Sequence, residues 1–339
     1  MRPRERFLSA LRRESVDRMP AACPLQTATL DQMRLSGAYW PEANFDGEKM
    51  AKLSLAASEF AGFESARVPF DAAVDEEALG AEIGRSDRET APFIMKPIIV
   101  EKGDLDALVV PDPRAAGRVP VLLDAISRIK AEHPELPMIC AHHAPFTLAA
   151  QLRGEEQAMV DIATDPGFLE ELLSKCADWG NALAKAAIEA GADAIMMIDA
   201  EANDLILGPK EFARFAKPGE ARMVRAIHSM GCPAMVHICA DISLTADQVA
   251  DTGVDGFSIG QGSSVKDIRA RTSGRCVLIG NVSPATTLYS GTPDEVREET
   301  LRCIRNGFDL VAPGCGLSPK TPLVNLQTMT ATIKNYRKT

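Results

Sequence analysis

Short apolar runs alternate along this chain with longer stretches of helical spacing. In residues 3–13, Phe7, Leu8 and Leu11 recur at helical intervals, which predicts an amphipathic N-terminal helix. Met19–Leu25 is a short apolar run broken by prolines, Gly47–Phe60 reads as helix, and Ala66–Phe70 as a second strand candidate. Residues 71–115 are less regular, with an expected hairpin at Phe93–Val100 and a Pro-rich connection at Val110–Arg114. Beyond that the rhythm is steady. Helices are expected at Pro120–His133, Thr147–Leu152, Pro166–Ala190, Pro209–Met230, Ser243–Asp251, Val265–Thr272, Pro293–Asn306 and Leu323–Tyr336. Strands are expected at Pro137–His142, Asp193–Asp199, Pro233–Cys239, Val254–Ile259, Cys276–Asn281 and Phe308–Ala312. Helix boundaries agree with this reading. Thr292-Pro293-Asp294-Glu295 supplies a cap, a first-turn proline and acids, and Gly191, Gly253 and Gly307 each follow a helix and precede an apolar run.

With the two early candidates the strand-like runs number eight, mostly alternating with helices. Alternation of β and α implies a parallel sheet, and eight units imply a closed (β/α)₈ barrel of TIM type, here with an N-terminal helical extension. A doubly wound open sheet is the other possibility. The chain has no Gly-x-Gly-x-x-Gly at a strand–helix turn and no Gly-x₄-Gly-Lys-Ser/Thr loop. At 339 residues the whole chain, 1–339, reads as a single barrel domain with an irregular insertion at about 71–115.

Charge narrows the partners. With 37 basic and 47 acidic residues the net charge is −10, which disfavours nucleic acid and acidic membrane surfaces. No apolar run approaches the roughly 18–20 residues of a membrane span. The charged opening Met1-Arg-Pro-Arg-Glu-Arg-Phe7 does not resemble a signal peptide. The eight cysteines are scattered, mostly inside apolar runs, which fits a reducing cytoplasm better than a disulfide framework. The 13 methionines read as core filler.

The chemistry gathers at the ends of the expected strands. In Pro233-Ala-Met-Val-His237-Ile-Cys239, the His and the Cys are two residues apart and so leave the strand on one face. Cys315 lies between Gly314 and Gly316 just after the last apolar run. One imidazole and two thiolates suit Zn²⁺, and three protein ligands leave a fourth position open, as in catalytic sites. Asp199 closes the run Ala194–Ile198 and is expected either in catalysis or in orienting a ligand, with Glu201 and Asn203 in the same loop as weaker candidates. His142 and His143 end their strand, one expected as a donor in the pocket and the other as packing. Asn281 and Ser283 either present hydrogen-bond donors or belong to a loop that caps a helix.

The stretches Val236–Cys239, Leu278–Pro284, Leu310–Gly316 and Thr321-Pro322, with the opening Pro3–Phe7 and Val16–Arg18, resemble the methylcobamide:coenzyme M methyltransferases. These form a branch of the uroporphyrinogen decarboxylase superfamily, whose wider pattern is matched by Pro145–Ala149 and Leu207–Phe212. The resemblance runs from about residue 3 to 337. It implies a (β/α)₈ barrel, zinc on His237, Cys239 and Cys315, a corrinoid-carrying protein as methyl donor, and a small thiol as acceptor. The decarboxylases carry an arginine-rich N-terminal segment for a tetrapyrrole's carboxylates. Here Cys23–Leu30 has no arginine, which argues against that activity. Gln261, Glu201 and the His142–His143 pair depart from the family pattern and are expected to line the substrate pocket. In the scheme so implied, a zinc-bound thiolate attacks the methyl group on Co(III), and Asp199 orients His237 or takes the thiol proton. Two alternatives remain at this level. One is transfer of a methyl group from a methoxy or methylamine compound onto a corrinoid protein. The other is a barrel that binds a corrinoid or tetrapyrrole without turnover.

Overall fold

The computed structural model describes residues 1–71 and 73–337. Seven strands form one sheet in chain order: β1 (Ala66–Val68), β2 (Met138–His143), β3 (Ala194–Ile198), β4 (Ala234–Ile238), β5 (Gly256–Ile259), β6 (Val277–Val282) and β7 (Leu310–Pro313). Every neighbouring pair is parallel. The strands are buried nearly throughout, which is why they read as continuous apolar runs rather than as alternation. A helical connection returns the chain between successive strands, as parallel pairing requires. Buried apolar side chains form one continuous cluster from Phe7 to Ile333. No helix among the described residues is long and apolar enough to cross a membrane.

The expected first strand, Met19–Leu25, is not in the ladder. It runs past Glu64 and Ser65 just before β1, with the Glu64 N–H bonded to the Ala21 carbonyl at 2.8 Å and the Cys23 N–H to Ser65 Oγ at 3.0 Å. On its other flank the Leu317 N–H, beyond β7, donates to the Gln26 carbonyl at 3.0 Å. The segment thus holds the eighth place of the barrel through scattered bonds. Pro20 and Pro24 lack the N–H groups that a regular ladder needs.

Other departures have similar causes. The expected helix Pro209–Met230 contains a π-helical stretch, Phe212–Ala216, before Lys217–Ser229. Pro218 cannot donate the next backbone bond, and the wider turn absorbs the defect. Phe93–Val100 is not a hairpin. A single antiparallel bridge joins Ile83 to Ile94, and the N–H groups of Ile98 and Ile99 both go to the Leu152 carbonyl. Pro97 interrupts that window and Pro92 immediately precedes it. Helices at Leu30–Ser36, Lys102–Ala107 and Glu155–Thr164 were not expected, and the Ser243–Asp251 helix starts only at Ala246. Elsewhere the boundaries agree closely. Pro166–Ala190 is helical as expected and closes on Gly191 at φ +118°, and Thr292 and Glu295 form a reciprocal capping box.

The N-terminal helix, Pro3–Leu11, closes the barrel at the starts of the strands. Arg4 Nε meets Asp193 Oδ1 at 2.8 Å beside β3, and Leu11 lies so near β5 that a Cβ on Gly256 would come within 3.2 Å of it. That end is a plug, so the open mouth is at the carboxyl ends of the strands. Leu11→Ala is expected to cost on the order of 3 kcal/mol in urea unfolding, since the rigid floor cannot refill the gap. Thiol reactivity at the carboxyl ends of the strands should not change; a parallel change there would contradict the separation of floor from mouth.

Candidate metal centre and active-site cavity

His237 and Cys239 leave the end of β4 together, and Cys315 reaches them from the turn after β7. His237 Nε2 lies 3.2 Å from Cys239 Sγ, and the two sulfurs are 3.8 Å apart. All three donor atoms fall within 4.8 Å of one another. Tight backbone packing makes this approach possible. A Cβ on Gly260 would lie 2.8 Å from the Ala240 nitrogen and 3.1 Å from the Cys239 carbonyl carbon, so only glycine lets β5 pass so close. Ala240 itself turns the chain at φ +56° directly after the ligand. A Cβ on Gly314 would strike the Gln261 side chain at 2.2 Å.

The imidazole is oriented by a residue that the sequence reading did not single out. Ser258 on β5 is in register with His237, and its Oγ lies 3.0 Å from His237 Nδ1. That contact fixes the ring with Nε2 toward the two sulfurs. A lone serine in the apolar run Val254–Ile259 was the available signal. The thiols are strongly coupled. The Cys239 S–H hydrogen-bonds to the Cys315 sulfur and, with the His237 ring, draws the Cys315 thiol down to about 4. Cys239 is pushed up in return, because its proton is held by Cys315 and because it is largely buried. The pair therefore gives up its first proton readily and keeps the second until a cation replaces it. The set fits zinc: tetrahedral Zn–S bonds of about 2.3 Å would put two sulfurs roughly 3.8 Å apart.

The three donors sit on the wall of a cavity of about 500 Å³ that Arg67, Glu76, His143 and Glu201 also line. Asp71, Phe93 and Ile94, from the irregular 71–115 region, complete part of its rim. His143 Nδ1 bonds Glu76 Oε1 at 2.7 Å. Burial opposes a charged ring, but Glu76 outweighs it and lifts His143 to about 9. Glu201 accepts from the Thr147 hydroxyl and, at 3.3 Å, from Gln151 Nε2.

The other expected site residues point elsewhere. His142 alternates to the opposite face, toward Gly180 of the Pro166–Ala190 helix; burial pushes its pKa down, so it is neutral packing. Asp199 is fully buried outside the cavity. Its Oδ1 accepts the Thr147 N–H at 2.7 Å, and only its backbone N–H reaches His237, at the carbonyl. The expected role of Asp199 in orienting the imidazole falls to Ser258. Asn281 donates to the Gly260 carbonyl at 3.4 Å, and Gln261 donates to the Asn281 carbonyl at 2.9 Å beneath Gly314. Ser283 caps the Pro284–Tyr289 turn by accepting the Thr286 N–H at 3.1 Å. These three side chains brace the mouth and do not line the cavity. Their strand-end positions were read correctly, but local backbone groups consume their polar atoms.

The uroporphyrinogen decarboxylase family model matches residues 2–336. The chain is 36% identical to the methylcobamide:CoM methyltransferase MtbA of Methanosarcina acetivorans, covering 99% of this chain and 98% of that one. It is 32% identical to MtaA of Methanosarcina barkeri, over 98% and 97%. A solved methyltransferase from Methanosarcina mazei superposes with a TM-score of 0.93 at 32% identity, covering 98% of each chain. The chain belongs to the uroporphyrinogen decarboxylase family, in its methylcobamide:CoM methyltransferase branch. In this branch member the arrangement around Asp199 is a buried carboxyl pair. Burial raises Asp199 to about 6, opposed by the Thr147 N–H and by the neighbouring Glu220 carboxyl. Glu220, on the Lys217–Ser229 helix, is pushed well above the usual carboxylate range by burial and by the Asp199 charge.

Groups whose pKa is raised by folding stabilise the fold at low pH and lose that contribution as pH rises through the folded value. The calorimetric Tm is therefore expected to fall between pH 5 and pH 8. Glu220→Gln, which keeps a donor for Asp199, should flatten that fall; parallel curves for the two proteins would exclude the pair as its source.

Proposed function

We propose that this protein transfers a methyl group from a methylated corrinoid protein to a small thiol, with zinc held by His237, Cys239 and Cys315. The observation that carries the reading is the convergence of one imidazole and two sulfurs on the wall of a small-molecule cavity. Zinc bound there would lower the pKa of an incoming thiol and keep its sulfur as a thiolate. Ser258 keeps His237 in the tautomer that offers Nε2. Cys239 and Cys315 give up their protons and supply two negative charges, which leave the substrate sulfur electron-rich. Bound there, the acceptor sulfur would be placed to take the methyl group from a corrinoid co-substrate, forming a carbon–sulfur bond while the electron pair of the broken carbon–cobalt bond would remain with the donor.

The thiol proton needs an acceptor. Of the acids lining the cavity, Asp71 is committed to Arg118 by two bonds of 2.9 Å and Glu76 to His143. Glu201, held by Thr147 and Gln151, is left for that role. Apolar walls at Phe70, Phe93, Ile94 and Ile198 limit water at the reacting sulfur.

Protein purified without added metal is expected to carry about one zinc per chain, and Cys315→Ser to lose most of it. Wild type should convert methylcobalamin and 2-mercaptoethanesulfonate to the thioether, and Cys315→Ser should not. Absence of zinc in wild type after incubation with it would overturn the reading. Glu201→Gln should keep its zinc yet lose roughly 10- to 100-fold in rate at pH 7. The deficit should shrink as pH approaches the thiol's own pKa; a pH-independent deficit would argue against Glu201 as the proton acceptor.

A further inference from the structure

Asp199 follows β3 directly, yet its side chain is fully buried and is not part of the cavity wall. Its bonds make it a junction. The backbone N–H donates to the His237 carbonyl at 2.9 Å, which ties Asp199 to the strand that leads into two of the metal-binding donors. The carbonyl accepts the Ala202 N–H at 3.0 Å, which closes the turn that contains Glu201. The carboxyl Oδ1 accepts the Thr147 N–H at 2.7 Å. Thr147 lies in the first turn of the Pro145–Arg153 helix, whose own N-cap residue, Ala144, offers no side-chain acceptor. Asp199 thus caps that helix from the end of the neighbouring strand.

The capped helix in turn holds Glu201. The Thr147 hydroxyl donates to Glu201 Oε2 and accepts the Glu201 backbone N–H at 3.3 Å. Gln151, one turn further on, donates to Glu201 Oε1 at 3.3 Å. Thr147 and Gln151 stand at i and i+4, so they share one helix face, and both line the cavity. The start of this helix is fixed on two more sides. The Ala144 N–H donates to the Ile198 carbonyl at 2.8 Å, and Gly219 lets the Lys217–Ser229 helix pack so close that a Cβ there would lie 3.0 Å from the Pro145 ring. Glu220, next to Gly219, is as fully buried as Asp199. Among the described residues no cation pairs with either acid, and acids so placed are costly. What Asp199 provides in return is a fixed distance between the end of β3 and the helix that carries Thr147 and Gln151.

We propose that Asp199 is a positioning residue for Glu201, acting through the Pro145–Arg153 helix from behind the cavity wall. It holds Thr147, and with it Gln151, where the two fix the Glu201 carboxylate in the wall shared with the metal-binding donors. A displacement of about 1 Å at a reacting group can cost on the order of 100-fold in rate, so such a hold is felt at the chemistry without touching it. The role of Glu201 as proton acceptor rests on the methyltransferase reading above. The hold of Asp199 on Thr147 stands on the geometry.

The test uses the zinc-loaded protein with methylcobalamin and 2-mercaptoethanesulfonate. Wild type is compared with Asp199→Ala, Asp199→Asn, Glu201→Gln and the double variant Asp199→Ala/Glu201→Gln. Asp199→Ala should keep its zinc and its KM and lose about 10-fold in kcat at pH 7, a deficit that shrinks as pH approaches the thiol's own pKa. Asp199→Asn keeps an acceptor oxygen for the Thr147 N–H and should recover most of the rate. In the Glu201→Gln background, Asp199→Ala should cost less than about twofold more, because nothing is left to position. Losses that multiply in the double variant, or an Asp199→Ala deficit independent of pH, would overturn the proposal and leave the methyltransferase reading standing. Should Asp199→Ala fail to fold, Asp199→Ala/Glu220→Leu takes its place, since it leaves no lone carboxyl buried. Hydrogen exchange at the Thr147 amide, read by NMR, tests the hold without turnover. Exchange should be slow in wild type and Asp199→Asn and roughly 10-fold faster or more in Asp199→Ala. Equal exchange in all three refutes the hold, whether or not any thiol is methylated.

Discussion

Two sulfurs 3.8 Å apart at the wall of a partly buried cavity cannot both carry a full negative charge unless a cation shares the space. Much of the site is arranged around that constraint. Ser258 orients the imidazole so that Nε2 turns toward the sulfurs. Glycines at 260 and 314 allow the two ligand-bearing turns to pack against their neighbours at distances no side chain would tolerate. A proton shared between the sulfurs relieves the constraint, and a borderline-soft divalent ion would relieve it with two bonds.

The rest of the mouth is a problem of charge pairing. Asp71 and Arg118, Glu76 and His143, and Asp75 with the Trp179 indole at 2.7 Å are each closed sets within a buried region. Such pairs are weak sources of net stability, but breaking one leaves an uncompensated buried group, so they hold the cavity walls in one arrangement. Arg67 and Glu201 stand apart from these sets: among the described residues neither forms an ion pair, and both line the cavity.

The barrel was largely legible from local pattern. Apolar runs such as Ala194–Ile198 and Val277–Val282 could only be buried strands once helices of known length separated them. The misread parts are those where proline removes donors and long-range packing decides. Met19–Leu25 has the hydropathy of a strand yet joins its neighbours only by scattered bonds, and Phe93–Val100 lies against the end of the Pro145–Arg153 helix instead of folding on itself. The helix at Leu30–Ser36 has a capping box, Thr29 with Gln32, which was readable but not read.

At the site, the His-x-Cys spacing on a strand and a cysteine after the last strand pointed to three donors that the fold brings together, because period-two alternation is a property of the strand itself. The facing of the other candidates was not accessible in that way. Asp199 and His142 stand one residue from cavity-lining neighbours, and that single step turns them away from the chamber. Gln261, Asn281 and Ser283 sit at the right level of the barrel, but their polar groups are spent on backbone partners that only the closed fold supplies. Arg67 and Glu201 reach the cavity from strand and loop positions about 130 residues apart in sequence. The sequence by itself determined the alternating architecture and the chemical character of the candidate metal-binding trio, since both rest on residue type and position at strand ends. The tertiary structure decided which charges are paired and which face the cavity, because those outcomes depend on distances between segments that only folding brings together.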